Sequence, residues 1–259
     1  MENNIKPYYD KDNIIIYNNN CFDILPYLEK ESINLFFTDM PYNITACKWD
    51  KEIINLNKLW DNILPLGMQN TPFVFTAMQP FSSKLVMSNL KMFKYEWVWN
   101  KKRITAPFLA KKQPLRQHEL ILVFYKKQCT YNPQPTKKST GKPFSDKEMT
   151  DGKGEVYGGM KRNGIRGGNE YGYPKSILND IPVITNMSKE KFMHPTQKPV
   201  SLMEYLIKTY TNEGDLVLDP FGGSFTTAVA CKKLNRKFIG IEILKEYCDI
   251  GIKRINEIK

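Results

Sequence analysis

Short apolar runs, too brief for helices, recur along the first half of the chain: "NIIIY" at Asn13 to Tyr17, "INLFFTD" at Ile33 to Asp39, "TPFVFTA" at Thr71 to Ala77 and "ELILVFYK" at Glu119 to Lys126. β-Branched and aromatic runs of this length predict strands buried on both faces, and so a largely parallel sheet covered by helices. Between the first two lies the helical "CFDILPYLEK", and Trp60, Leu64, Leu85 and Leu90 are spaced for further amphipathic helices. In "KPVSLMEYLIKTYTNEG", Leu202, Tyr205, Leu206 and Tyr210 share one helical face, with Pro199 suited to the first turn and Gly214 to the stop. Then come a strand "DLVLD", a helix "FTTAVACKKL", a strand "KFIGIE" and a closing helix "LKEYCDIGIKRINEI", which together make a βαβ unit.

From Lys126 to Lys191 the periodicity lapses, and eight of the fifteen glycines fall between Gly152 and Gly172. This segment reads as an irregular insertion in a chain that otherwise forms one domain over residues 1–259. Tyr157, Tyr171 and Tyr173 stand there beside Arg162 and Arg166, a mixture uncommon in a plain linker.

Charge sharpens the picture. Between Asn100 and Lys175 there are 17 Lys and Arg against 6 Asp and Glu, while the rest of the chain balances at 21 against 21, so the net +11 lies in one segment. A local surplus interleaved with tyrosines and glycines fits a polyanion footprint better than general solubility. The 259 residues, 41% of them hydrophobic, suffice for one large α/β domain. No apolar run approaches a membrane span, and the start lacks the features of a signal peptide, so the expected location is the cytoplasm. Cys21, Cys47, Cys129, Cys231 and Cys248 form no CxxC pair, and His118 and His194 are the only histidines, which argues against disulfides and a metal site.

Two constellations carry candidate chemistry. In "LDPFGGSF", Leu218 to Phe225, Asp219 ends a strand, Gly222 and Gly223 permit a tight turn, and Thr226 opens a helix. Glu242 ends the next strand, 23 residues after Asp219, where nucleotide-binding sheets place an acceptor for ribose hydroxyls. The three-glycine dinucleotide fingerprint is absent, which leaves a ligand with ribose but no pyrophosphate; a turn shaped by geometry alone is the plainer alternative. In "FFTDMPYNIT", Phe36 to Thr45, the predicted strand ends in Asp39, Met40, Pro41 and Tyr42. Asp39 and the Met40 carbonyl can accept hydrogen bonds from an amino group, Pro41 holds the turn and Tyr42 offers a face for stacking, a set that suits a flipped-out base. A proline-terminated strand with an aspartate in the turn is the competing reading.

Taken together, "TDMPYNIT", then a basic insertion, then "HPTQKP" at His194 to Pro199 and "FGGS" resemble, in that order, the permuted β class of S-adenosylmethionine-dependent DNA amino-methyltransferases. "CKWD", "QPF", "YEWVWNK" and "QHELILVFYK" are similar to blocks of the adenine-directed members found in bacteria and phages. The resemblance implies a Rossmann-like, doubly wound, circularly permuted sheet in which 126–191 is the target-recognition region. It implies transfer of a methyl group from S-adenosylmethionine to the amino nitrogen of an adenine in double-stranded DNA. It implies a reaction with neither a metal nor a covalent intermediate, and no cysteine follows a proline as in the carbon-5 methylases. Asp39, Met40, Pro41 and Tyr42 are then catalytic. Asn20, Asp39, Thr196, Lys198, Asp219, Phe221, Gly222, Gly223, Ser224 and Glu242 are then cofactor residues. Lys101, Lys102, Arg103, Lys111, Lys112, Arg116, Arg162 and Arg166 face DNA. Met40 stands where the family usually has proline and should loosen the turn; Asn20 stands where many members have aspartate. A cognate restriction endonuclease and a second copy of the chain are the partners implied. Cytosine N4 methylation, a silent DNA-binding protein of the same fold and RNA methylation are the rival readings.

Overall fold

The computed structural model describes residues 5–42, 54–105, 107–137, 171–185, 190 and 197–258. In chain order the strands and helices are β1 (Tyr9–Lys11), β2 (Ile14–Asn18), α1 (Cys21–Ile24), β3 (Leu35–Thr38), α2 (Leu56–Ile63), β4 (Phe73–Ala77), α3 (Phe81–Ser88), β5 (Phe93–Thr105), β6 (Arg116–Phe124), β7 (Thr136–Lys137), β8 (Tyr171–Gly172), β9 (Ile177–Leu178), α4 (Val200–Tyr210), β10 (Leu216–Asp219), α5 (Thr226–Lys233), β11 (Lys237–Glu242) and α6 (Lys245–Asn256).

Nine strands form one sheet in the order β1-β2-β11-β10-β3-β4-β6-β5-β9. The centre, from β2 through β11, β10 and β3 to β4, is parallel. Strands β6 and β5 add an antiparallel hairpin beside β4.

Side-chain alternation builds a core on each face of this sheet. Phe36, Phe73, Phe75, Phe124 and Leu218 point to the side of Leu59 and Trp60 on α2 and Leu85 on α3. Their neighbours Leu35, Phe37, Val74, Val123 and Val217 point to the side of Leu202 and Leu206 on α4 and Ala228 on α5. Trp60 donates its indole N–H to Ser88 Oγ at 2.8 Å, and its ring meets Phe73 and Phe75 edge-on. Such a polar tip on an apolar ring needs that partner once buried.

Three differences from the sequence reading have physical causes. Strand β5, the longest, was hidden because its outer half, "NKKRIT", is polar and lies in the basic segment. The stretch after Cys21 makes only one α-helical turn followed by a 3-10 turn, since Pro26 cannot donate to an α-helical ladder. Helix α4 stops at Tyr210, before Gly214. Two compact units emerge, 1–132 with 176–259, and 133–175. Within the second, β7 and β8 pair antiparallel over two residues each. Among the described residues no helix is long and apolar enough to cross a membrane.

Candidate active site

The chain winds outward from two neighbouring strands. From β3 it runs through α2 to β4 on one side, and from β10 through α5 to β11 on the other. β3 and β10 are parallel neighbours, with Leu35 beside Val217 and Phe36 beside Leu218. Their carboxyl ends therefore open on the crevice where such sheets bind ligands. Topology alone thus brings Asp39 and Asp219, 180 residues apart in sequence, to one place.

That place is a cavity of about 450 Å³ lined by both constellations, within the size range of small-molecule sites. Asn20, Asp39, Met40, Pro41, Tyr42, Lys198, Asp219, Phe221, Gly222, Gly223, Ser224 and Glu242 all border it. Thr196, Arg162 and Arg166, like Cys47, Tyr157, His194 and the "CKWD" block, lie outside the described residues.

Asp219 holds the two halves together. It is buried, and accepts from Thr38 Oγ1 at 2.7 Å, the Phe221 N–H at 3.2 Å and Thr227 Oγ1 at 2.8 Å. One carboxylate thus ties the end of β3 to the loop after β10. Burial pushes its carboxyl up to about 6, against the pull of these three donors. Gly223 turns at φ +50°, a conformation that favours glycine, and donates its N–H to Glu242 Oε2 at 2.9 Å. Glu242 Oε1 takes the Leu244 N–H at 2.8 Å. Burial raises the Glu242 carboxyl despite these bonds. Arg254, a buried residue of α6, donates to the Ser224 carbonyl at 2.7 Å and to Thr226 Oγ1 at 3.0 Å, clamping the far end of the loop. Beneath the loop the Phe225 ring fills the space left by Gly222, Gly240 and Gly251.

Asp39 is ringed by donors. Its Oδ1 accepts from the Thr76 hydroxyl, with the Tyr42 hydroxyl 2.6 Å away, and its Oδ2 accepts from the Lys198 ammonium at 2.6 Å. Lys198 is buried and also lies 3.3 Å from Glu119 Oε2, while Lys101 donates to Glu119 Oε1 at 2.6 Å. Burial alone would lower the Lys198 ammonium, but Asp39 and Glu119 outweigh it and raise it. Burial pushes Glu119 up, yet Lys198 and Lys101 bring it down overall. Lys198 and Glu119 are therefore both held charged.

These contacts revise several expectations. The ammonium of Lys198 is engaged by Asp39 and Glu119 rather than by the Phe221–Ser224 loop. Lys101 does not reach out for a phosphate: its side chain is 11% exposed and committed to Glu119. The Met40 side chain is buried, in the same core cluster as Phe36. Phe81 stacks on the Tyr42 ring at 5.5 Å, so part of the expected stacking face is already covered. Lys102, Arg103, Lys111 and Lys112 are exposed on the β5–β6 hairpin, whereas Arg116 is half-buried, 3.5 Å from the Gln79 carbonyl. Thr38, Thr76, Glu119 and Arg254 carried no sequence signal beyond their polarity. Phe108, 81% exposed at the hairpin turn, was legible as a lone aromatic among cations. Cys21, Cys129, Cys231 and Cys248 are free and buried, and no group of metal-binding side chains occurs among the described residues.

A doubly wound sheet whose switch point joins a ribose-type loop to a ringed carboxylate defines a group-transfer enzyme with a nucleoside cofactor. The DNA methylase family profile matches residues 33–253, and the chain belongs to that family. It is 32% identical to DNA adenine methyltransferase YhdJ of Escherichia coli (strain K12), over 90% of this chain and 81% of that protein. The solved M1.HpyAVI–SAM complex superposes with a TM-score of 0.63 at 27% identity, covering 94% of this chain and 99% of that one. PvuII DNA methyltransferase (cytosine-N4-specific) shares the fold, with a TM-score of 0.67 at 18% identity over 99% of this chain and 92% of that one. The protein is thus a DNA methyltransferase of restriction–modification type, and its methyl donor is S-adenosylmethionine. The site fits that donor: nothing crowds the loop at Gly223, and the Glu242 carboxylate borders the same cavity.

Proposed function

We propose that the protein methylates the exocyclic N6 amino group of an adenine turned out of double-stranded DNA, with Asp39, Met40, Pro41 and Tyr42 as the catalytic turn. The observation that carries this reading is that the Asp39 turn and the Phe221–Ser224 loop line one cavity. A base seated at one and a nucleoside cofactor at the other can react directly.

S-Adenosylmethionine supplies an electrophilic methyl group on a sulfonium. Phe221, Gly222, Gly223 and Ser224 would border its methionine end, Glu242 would accept from its ribose, and Asn20 would lie by its adenine, with Asp219 bracing the loop from beneath. The amino nitrogen of adenine is a weak nucleophile because its lone pair is delocalised into the ring. Asp39 and the Met40 carbonyl accept its two N–H groups and aim it, so positioning and electrostatics carry the reaction. Once methylated, the nitrogen is cationic and releases a proton, for which Asp39 is the adjacent carboxylate. Turning the base out costs a few kcal/mol, and stacking on Tyr42 offsets roughly 1–3 kcal/mol of it. Lys102, Arg103, Lys111 and Lys112 meet phosphates, and Phe108 offers a base a surface to stack on. The kinship with an adenine methyltransferase supports adenine over cytosine. A paired endonuclease, a second copy of the chain and action in the cytoplasm complete the reading.

The test is to incubate wild-type, Asp39→Ala and Tyr42→Ala protein with unmethylated DNA and S-adenosylmethionine, digest the DNA and identify the methylated nucleoside by mass spectrometry. N6-Methyladenine from wild type, none from Asp39→Ala and a reduced amount from Tyr42→Ala is the expected result. N4-Methylcytosine would refute the choice of base, and an unaffected Asp39→Ala would refute the catalytic turn.

A further inference from the structure

In this structure the place a target amino group needs is held by the protein's own amino group. Lys198 Nζ donates to Asp39 Oδ2 at 2.6 Å, lies 3.5 Å from the Tyr42 hydroxyl and sits 5.6 Å from the Tyr42 ring centroid. It therefore stands in for the exocyclic amine as an N–H donor in that position, and a base can reach both Asp39 and the Tyr42 ring only if the ammonium withdraws. The remaining oxygen, Oδ1, is already served by Thr76 and Tyr42.

The neighbouring carboxylate is prepared for that withdrawal. Glu119 Oε2 is buried without a well-formed hydrogen bond, although Lys198 Nζ is only 3.3 Å away. A buried carboxylate oxygen left in this condition is costly and uncommon. A shift of roughly half an ångström would bring the ammonium to the 2.7–2.9 Å of a charge-assisted bond. Lys101 fixes the other oxygen of Glu119 at 2.6 Å and so holds the carboxylate in place.

Resting on the reading of Asp39 as the base-binding carboxylate, we propose that Glu119 is a positioning residue for methyl transfer, the seat to which the Lys198 ammonium retreats when the amino group of the target base takes Asp39 Oδ2. The lysine then keeps a full charge partner in both states, and base entry replaces the ammonium on Asp39 by a neutral amino group. Without Glu119 the ammonium would stay on Asp39 and compete with the base.

The experiment is a double-mutant cycle read by single-turnover methyl transfer. It uses duplex DNA carrying the site that wild type modifies, with cofactor affinity and thermal unfolding measured alongside. Glu119→Gln should slow the chemical step by about tenfold or more, in the range of coupling between contacting charged groups, while leaving S-adenosylmethionine affinity unchanged. Glu119→Asp should recover part of that rate. Lys198→Met should lose less than Glu119→Gln, and adding Glu119→Gln to it should cause little further loss. If Glu119→Gln alone does not fold, the double variant is compared with Lys198→Met, where the same small difference is expected. Equal losses with and without Lys198, a Lys198→Met protein less active than Glu119→Gln, or losses that follow cofactor affinity would overturn the proposal. A wild type that methylates no DNA amino group would instead overturn the reading on which it rests.

Discussion

Asp219 allows a quantitative prediction, because burial outweighs its three hydrogen-bond donors and raises its carboxyl. Replacing Asp219 with asparagine keeps an oxygen for Thr38 and the Phe221 N–H, and the Thr227 hydroxyl can turn to accept from the new amide. What changes is the charge. The folded protein holds this carboxyl at about 6, against an ordinary 3.8, so between those values the native state binds a proton that the unfolded chain has lost. Stability from this group is full at low pH and declines as pH rises to about 6. The rise corresponds to roughly 2 kcal/mol lost between pH 4 and pH 7. Urea unfolding of wild type and Asp219→Asn at half-unit steps across that range isolates this contribution, since all other groups cancel in the difference. Asp219→Asn should gain on wild type by about 2 kcal/mol from pH 4 to pH 7. A difference that stays flat, or that turns in favour of wild type as pH rises, would refute the claim that burial dominates at this carboxylate.

Two further outcomes can be measured directly. Replacing Lys102, Arg103, Lys111 and Lys112 with glutamine should weaken DNA binding and flatten its salt dependence, by roughly 0.9 in the log–log slope for each phosphate no longer neutralised; an unchanged slope would remove the hairpin from the interface. Gly251→Ala should favour helix α6 by about 1 kcal/mol through propensity. The added methyl would nevertheless run into the Phe225 ring and its Cβ, which do not move freely in a fully buried site. Overpacking of about 1–3 kcal/mol then wins, so denaturant unfolding should show net destabilisation, relieved by the second change Phe225→Leu.

Much of this protein was legible in one dimension because the relevant signals are local. Alternation through Leu35, Phe36 and Phe37 marks a strand covered on both faces, and each residue does face the core its parity demands. The run Lys237–Glu242 is a strand of the expected length, and the Asp39–Tyr42 turn and the Phe221–Ser224 loop both follow strand ends. Strand β1 was not legible, since three half-polar residues, "YDK", become a strand only by pairing with Ile14–Ile16. Strand β9 is likewise defined by its partner, Val98 and Trp99 of β5.

The sequence by itself determined which segments fold as sheet and helix, that two polar turns break a buried pattern, and that the basic surplus lies in the middle of the chain. Only the tertiary structure decided which charges meet. Lys101 and Lys198 are both plain lysines in sequence, one in a basic cluster and one before a helix, yet both end on Glu119, and Lys198 also on Asp39. Hydrophobic period is written in neighbouring residues, so it survives the loss of the third dimension. Charge pairing depends on distance through space and on the exclusion of water, and those are set only when strands far apart in the chain, β3, β6 and β10, are laid into one sheet.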